Sequence, residues 1–482
     1  MSSPKYSVFF GCLVDTPSLN ELRIRTNGAL GVDQTTGRII GIGDDVTDSS
    51  TGSAEALVAS WTGSQASVKG DVQVTVLSSD QFLLPGLIDT HTHAPQFAFL
   101  GIGHDLPLMD WLEKYTFKHE SSFKDIELAR NFYSGAINRV ISNGVTFAAY
   151  YGTIHVESNR ILADTIRKAG QRAFVGKVCM DVNSPSYYSE STAESIAGTE
   201  QFVKAVLGDQ GNESGARLVT PIVTPRFAPT CSMESLRGLG DVARRYQLPV
   251  QSHLCENPSE VAFVKQLFPD CTSYADVYHR AGLLGKRSIM AHCVHMGAED
   301  IRLLRESGAC VSHCPTSNFA LGSGIADVRR LMNNGIPVGL GTDVGGGYTP
   351  SILDAMRMAA AANRALIAGR RDRGEILEGR DGVPLEAGEA VFLATQGGAR
   401  VMGMADQLGS LDSGKLFDAI VVDLNVPLSP VPAVSSTPAV KCLEDHPDEA
   451  WRVRLEQFVF LADDRNITRV YVNGNLIHAK QT

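Results

Sequence analysis

The sequence predicts an α/β fold: a (β/α)8 TIM-type barrel with a small β-sandwich formed by the N- and C-terminal segments. Three observations carry this. Short apolar, β-branched runs in the middle of the chain each stop at a His or Asp. Segments with helical periodicity separate those runs. Both ends of the chain instead show short β-type runs broken by Gly, Asp and Ser, without strand–helix alternation. Alternation of strand and helix makes a parallel sheet, and closing that sheet brings every strand's C-terminal end to one face.

Taken in order, Tyr6 to Leu84 reads as short strands, with a low-complexity stretch, Ser49 to Ser67, expected to be an exposed loop. Pro85 to His93 is a buried strand ending in His91 and His93. Leu218 to Pro225 is a further strand, and Leu248 to His253, Ser288 to His292 and Ile336 to Asp343 end in His253, His292 and Asp343. A shorter strand covers Ala309 to Val311. Helical segments are expected over Ser259 to Phe268, Ala298 to Ser307 and Ile325 to Asn333. Near the C-terminus, Asp418 to Leu424 and Ile467 to Asn475 read as strands, the latter with an Asn-Gly turn, and a Pro-rich connector, Pro427 to Pro438, lies between them. The implied division is 1–84 and 409–482 for the two parts of the sandwich and 85–408 for the barrel.

At 482 residues the chain is long enough for a barrel plus a smaller β unit. Its 53 acidic against 43 basic residues give a net charge of −10, with no Lys/Arg block. That argues against nucleic acid or a phospholipid surface as partner and for a small molecule. Nine cysteines form no Cys-x-x-Cys pair, and no apolar run reaches the ~18 residues a membrane span needs. With no signal peptide at the start, a reducing, cytoplasmic setting is expected, in which the sequons at Asn212 and Asn466 stay unmodified.

Side chains at i and i+2 of a strand point the same way, so His91 and His93 can face one divalent metal. With His253 and Asp343 they make a set of three imidazoles and a carboxylate, which suits one zinc ion per subunit with an open position, iron being the alternative. Such a site produces hydroxide at neutral pH, ready to attack an amidine-like carbon. The departing amine needs a proton, and Glu256, in the loop three residues beyond His253, is the candidate carrier. Asp343, beside the cation and its water, can also act as base. His292 is either a fifth ligand or a hydrogen-bond donor that stabilises the attacked oxygen. Most other histidines read as surface or packing groups, His313 as part of the pocket wall, and the cysteines near strand ends as buried hydrophobes.

The ordered series Pro85-Gly86-Leu87-Ile88-Asp89-Thr90-His91-Thr92-His93, His253, His292 and Asp343 resembles the amidohydrolase superfamily. Locally, Asp105 to Leu112, Val223 to Ala228, Ser252 to Asn257, Ala309 to Asn318, Gly339 to Gly347 and the tail Leu461 to Ile467 resemble its guanine deaminase family. The resemblance implies hydrolytic deamination of guanine to xanthine and ammonia. It implies His91, His93, His253 and Asp343 as metal ligands, Glu256, Asp343 and His292 as catalytic groups, and His292 as a donor rather than a ligand. It implies that guanine is contacted by Gln96, Arg226 and Phe227, with His93, His253, Glu256 and Asp343 beside it. Arg226 can grip an acceptor edge, Phe227 can cover a π-face, and the Gln96 amide both donates and accepts. The barrel-strand lysine that dinuclear members carbamylate is not found, which favours one metal, and barrels of this class commonly pair, so a homodimer is expected. Asp105 to Phe117, rich in aromatic and apolar residues, is a candidate lid. Two other classes share this framework: deamination or dehalogenation of another ring, against which Arg226, Phe227 and Gln96 argue, and a scaffold without activity, which would have lost ligands.

Overall fold

The computed structural model describes residues 4–63, 69–208, 217–432, 443 and 446–480. In chain order its strands are β1 (Tyr6–Ser18), β2 (Glu21–Asp33), β3 (Arg38–Gly43), β4 (Val72–Val76), β5 (Gln81–Pro85) and β6 (Leu87–His93). There follow β7 (Val145–Tyr151), β8 (Arg172–Gly176), β9 (Val178–Cys179), β10 (Val219–Pro221), β11 (Thr224–Pro225) and β12 (Val250–Leu254). The last are β13 (Ser288–His292), β14 (Cys310–His313), β15 (Val338–Leu340), β16 (Ala419–Asp423), β17 (Ile467–Val472) and β18 (Asn475–Ala479).

Strands from both ends of the chain share one eight-stranded sheet, in the order β18-β17-β16-β5-β1-β2-β3 with β4 beside β1. β16 runs antiparallel to β5 from Ala419 opposite Pro85 to Asp423 opposite Gln81. The expected Asn-Gly turn joins β17 to β18: Asn473 and Gly474 both have positive φ, as a tight two-residue hairpin requires. Along β1 the side chains alternate. Phe9 and Leu13 pack with Phe417 and Tyr471, while Val8 and Phe10 face Ala54 and Val58. Those two belong to a helix, Thr51–Thr62, capped by the Ser50 hydroxyl, which corrects the expected loop over Ser49 to Ser67 as far as residue 63. Its Ser- and Gly-rich composition hides an Ala54, Leu57, Val58, Trp61 stripe at helical spacing. Residues 64–67, Asn212 and residues 433–438 of the Pro427 to Pro438 connector lie outside the described residues.

The middle strands pair in parallel as β6-β7-β8-β10, β9-β11 and β12-β13-β14-β15. They are buried on both faces, and helices such as Val156–Ala169, Met233–Tyr246 and Ala298–Ser307 return the chain between them. Met233–Tyr246 shows why: Leu236, Leu239, Val242 and Ala243 form one buried stripe, and the Ser232 hydroxyl caps the N-terminus. The expected strand Leu218 to Pro225 is interrupted between β10 and β11, since Pro221 and Pro225 offer no N–H to a ladder. A parallel bridge from Val223 to Val250 links this line to β12. At the other edge, Asp343 N donates to His91 O at 2.8 Å and Thr90 Oγ1 to Leu340 O at 2.9 Å, tying the end of β15 to β6. The terminal sheet is joined to the parallel strands by Arg172 and Asp418, whose side chains meet at 2.9 and 3.1 Å. No helix among the described residues is long and apolar enough to cross a membrane.

Candidate active site

The C-terminal ends of β6, β12, β13 and β15 converge. His91 and His93 leave β6 on the same side, and their Nε2 atoms stand 3.1 and 3.2 Å from Asp343 Oδ1 and 3.3 Å from each other. From β12, His253 donates its Nδ1–H to Arg226 O at 2.6 Å, which leaves Nε2 free to face the others. Ligand atoms of His91, His93, His253 and Asp343 all lie within 4.8 Å of one another, and all four residues are buried. Asp343, just beyond β15, and His292, at the end of β13, have φ of 46° and 72°. Left-handed backbone at residues other than glycine costs about 1–2 kcal/mol each and persists where the surroundings enforce it.

Electrostatics make these groups ready for a cation. Burial pushes His91 down to about 4 and His253 well below the usual histidine value, so both are neutral with a lone pair to offer. Burial alone would raise Asp343, yet the surrounding histidines hold its carboxyl well below the ordinary range. Imidazole nitrogens crowded around one carboxylate oxygen are a donor set suited to a divalent metal. Cysteine plays no part: the thiols of Cys255, Cys293 and Cys314 are buried and pushed well up.

Glu256 follows Cys255, whose φ of 53° turns the chain back after β12. Its backbone N–H donates to Glu260 Oε2 at 2.8 Å, and its Oε1 accepts from Ser323 Oγ at 3.1 Å. Oε2 then sits 3.5 Å from His292 Nε2, which is itself 3.8 Å from Asp343 Oδ2. The opposite ring nitrogen of His292 is 2.9 Å from Asn318 Oδ1. Burial raises Glu256 to about 7, with the His292 charge opposing it. For His292, burial is outweighed by Glu256 and Asp343, and its pKa is raised. Neither Ser323 nor Asn318 was singled out from the sequence.

A cavity of about 360 Å³, open mouth included, reaches this cluster. Gln96, Arg226 and Phe227 are among its lining residues, and Leu108, Trp111, Leu112 and Leu321 give it an apolar wall. The stretch from Asp105 to Phe117, expected as a lid, supplies three of those wall residues, on short helical turns from Leu108 to Thr116. Arg226 and Gln96 do not stand free. Both hold buried Glu120, a residue sequence reasoning missed: Arg226 Nη1 and Nη2 reach its oxygens at 2.6 and 3.2 Å, and Gln96 Nε2 donates at 2.8 Å. Burial would raise Glu120, but Arg226 outweighs it and keeps the carboxyl below its ordinary value. His313, buried at the end of β14, is not among the residues lining the cavity, and neither of its ring nitrogens has a hydrogen-bond partner. Two glycines let backbone come close: a Cβ at Gly341 would meet His91 Cβ at 2.8 Å, and one at Gly345 would meet Gln96 Oε1 at 2.7 Å.

A cation-ready cluster at strand ends, with a buried carboxyl beside it, fits a metal-dependent hydrolase. In agreement, the model of the amidohydrolase family matches residues 82–477, and the chain belongs to that family. More narrowly, it is 43% identical over 472 residues to a probable guanine deaminase of Schizosaccharomyces pombe, spanning 98% of this chain and 83% of that one. It is 40% identical over 406 residues to human guanine deaminase, spanning 84% and 85%. The crystal structure of guanine deaminase from C. acetobutylicum with guanine bound superposes with a TM-score of 0.82 at 33% identity, covering 98% of this chain and 100% of that one. Within the amidohydrolases, the chain thus falls in the guanine deaminase family.

Proposed function

We propose that the protein hydrolyses guanine to xanthine and ammonia. The observation that carries this is the shared cavity: His93, His253, Asp343 and Glu256 line it together with Arg226, Gln96 and Phe227, and His91 completes the ligand cluster. His91, His93, His253 and Asp343 hold one zinc ion per subunit. When bound, zinc lowers the pKa of a water molecule to about 7. Lys177, buried just beyond β8, is committed to Glu190 at 2.7 Å and so does not stand free to bridge a second ion.

Guanine enters against Phe227, with its polar edge read by Arg226 and Gln96. Water adds to the carbon bearing the amine, and its protons must go to neighbouring bases. Glu256 starts as carboxylate, takes one proton and delivers it to the leaving nitrogen; Asp343 Oδ2 accepts the other, which returns to the ring nitrogen beside the attacked carbon and becomes the new N–H of xanthine. His292, hydrogen-bonded to Asn318 and facing Glu256 and Asp343, keeps Nε2–H as a donor to the oxygen that gains charge. Leu108, Trp111, Leu112 and Leu321 keep bulk water from these groups.

The architecture that supports this reading is a (β/α)8 barrel over 85–408, closed through the Val223–Val250 bridge and the Asp343–His91 bond. We also read the terminal sheet, residues 1–84 with 409–482, as folding into two layers, because Ile39 of β3 and Tyr471 of β17 share one apolar cluster. A homodimer in the cytoplasm completes the proposal. The test is ammonia release and the ultraviolet change on mixing zinc-loaded protein with guanine, adenine, cytosine or a chlorinated triazine. Turnover confined to guanine is expected; turnover of another ring instead would discard the Arg226 and Phe227 assignment.

A further inference from the structure

Glu120 stands directly behind the polar wall of the cavity and takes no part in the reaction above. It lies in the short helix Phe117–Ser122 and is fully buried. Besides Arg226 and Gln96 it binds Tyr188, whose hydroxyl donates to Oε2 at 2.8 Å. Each of these bonds fixes a direction. A glutamine amide has a donor end and an acceptor end, and either can be turned outward by rotation about its last bond. With Nε2 tied to Glu120, Oε1 of Gln96 is the end left for a ligand. Arg226, held through both Nη groups in a fork, keeps one plane and its positive charge.

We propose that Glu120 is a positioning residue that sets the polarity of the substrate wall. It makes Gln96 an acceptor and Arg226 a donor, side by side. That pair fits an N–H adjacent to a carbonyl, the lactam edge of a 6-oxopurine. It rejects a 6-aminopurine, whose ring nitrogen and amine present the inverse pattern. The inference rests on the guanine deaminase reading and adds the origin of its selectivity: a site built to hydrogen-bond one pattern leaves buried polar groups unpaired when the pattern is reversed.

The experiment compares guanine with 2,6-diaminopurine in the zinc-loaded enzyme, for wild type and Glu120→Gln. The neutral amide frees Gln96 to turn and loosens Arg226. The expected result is a rise in KM for guanine of about tenfold with a smaller change in kcat, and a preference for guanine over 2,6-diaminopurine that shrinks by about tenfold or more. Metal content and circular dichroism stay unchanged. Glu120→Asp, which keeps the charge but is too short to hold both partners, and Tyr188→Phe, which removes one hydrogen bond to Glu120, carry the test if Glu120→Gln does not fold; each should shrink the preference in the same direction. An unchanged preference in the folded, metal-loaded variants overturns the proposal. Wild-type turnover of guanine tests the functional reading separately. Were it lacking, the same wild-type-to-variant ratio would be read from equilibrium binding of the two purines.

Discussion

At the start of β8, Arg172 meets Asp418 through two hydrogen bonds, and Asp418 Oδ1 also accepts from Asn473 N at 2.7 Å. At the end of β6, His91 and His93 crowd one oxygen of Asp343, while His93 Nδ1 and His292 Nε2 have no hydrogen-bond partner. Both clusters are buried and both carry charge. The first pairs the polar atoms of Arg172 and Asp418 and holds both residues at ordinary backbone; it joins the terminal sheet to the parallel strands. The second leaves valences open and holds His292 and Asp343 at positive φ. Buried polar groups that are fully paired build architecture, whereas those kept unpaired at a cost in stability are available for chemistry.

Removing a group from the open cluster should abolish activity, and removing one from the closed cluster should lower only stability. The largest effect is expected for Asp343→Ala: metal content falls to background by elemental analysis, and ammonia release drops on the order of 10⁴-fold or more. Glu256→Gln should keep its metal and its circular dichroism yet lose about 10²–10⁴-fold in kcat; near-normal turnover would remove Glu256 from the mechanism. Asp418→Ala leaves Arg172 buried and unpaired, so denaturant titration should show a loss of about 3–5 kcal/mol with kcat/KM for guanine nearly unchanged. A strong loss of turnover in that folded variant would break the distinction between the two clusters.

The smallest effect concerns His313. Burial pushes it from 6.5 down to about 3, so between those values the unfolded chain binds a proton that the folded protein refuses. Its contribution is fully present above pH 6.5 and is lost as the pH falls towards 3. The loss amounts to about 1.4 kcal/mol by about pH 5.5. Thermal melts of His313→Gln should therefore show a flatter dependence on pH through this window, and an unaltered slope would refute the assignment.

The strand-end histidines were legible because a strand's period of two and its C-terminal end are both written in the sequence, as at His91 and His93. That these strand ends share one face followed from strand–helix alternation, but the distances among His91, His93, His253 and Asp343 did not, since they depend on how the parallel strands curve. Glu120 escaped notice in the polar run Lys118-His119-Glu120-Ser121. Its signal was the spacing Phe117, Glu120, Phe123, which puts a carboxylate on an apolar face, and all three are buried. The helix Thr51–Thr62 was masked in the same way, by composition outvoting periodicity. In each case the chain followed the buried stripe, because burial of even a few apolar side chains outweighs the weak preferences of Ser and Gly.

Gly341 and Gly345 bear on how far this cavity can be re-engineered. A single methyl at either position runs into His91 or Gln96, so neither can take a side chain without displacing a group proposed to hold metal or to read substrate. Leu108, Trp111, Leu112 and Leu321 carry no such duty. A mutant library confined to those four wall positions should widen the range of rings accepted, whereas one that randomises the glycines should return mostly dead protein.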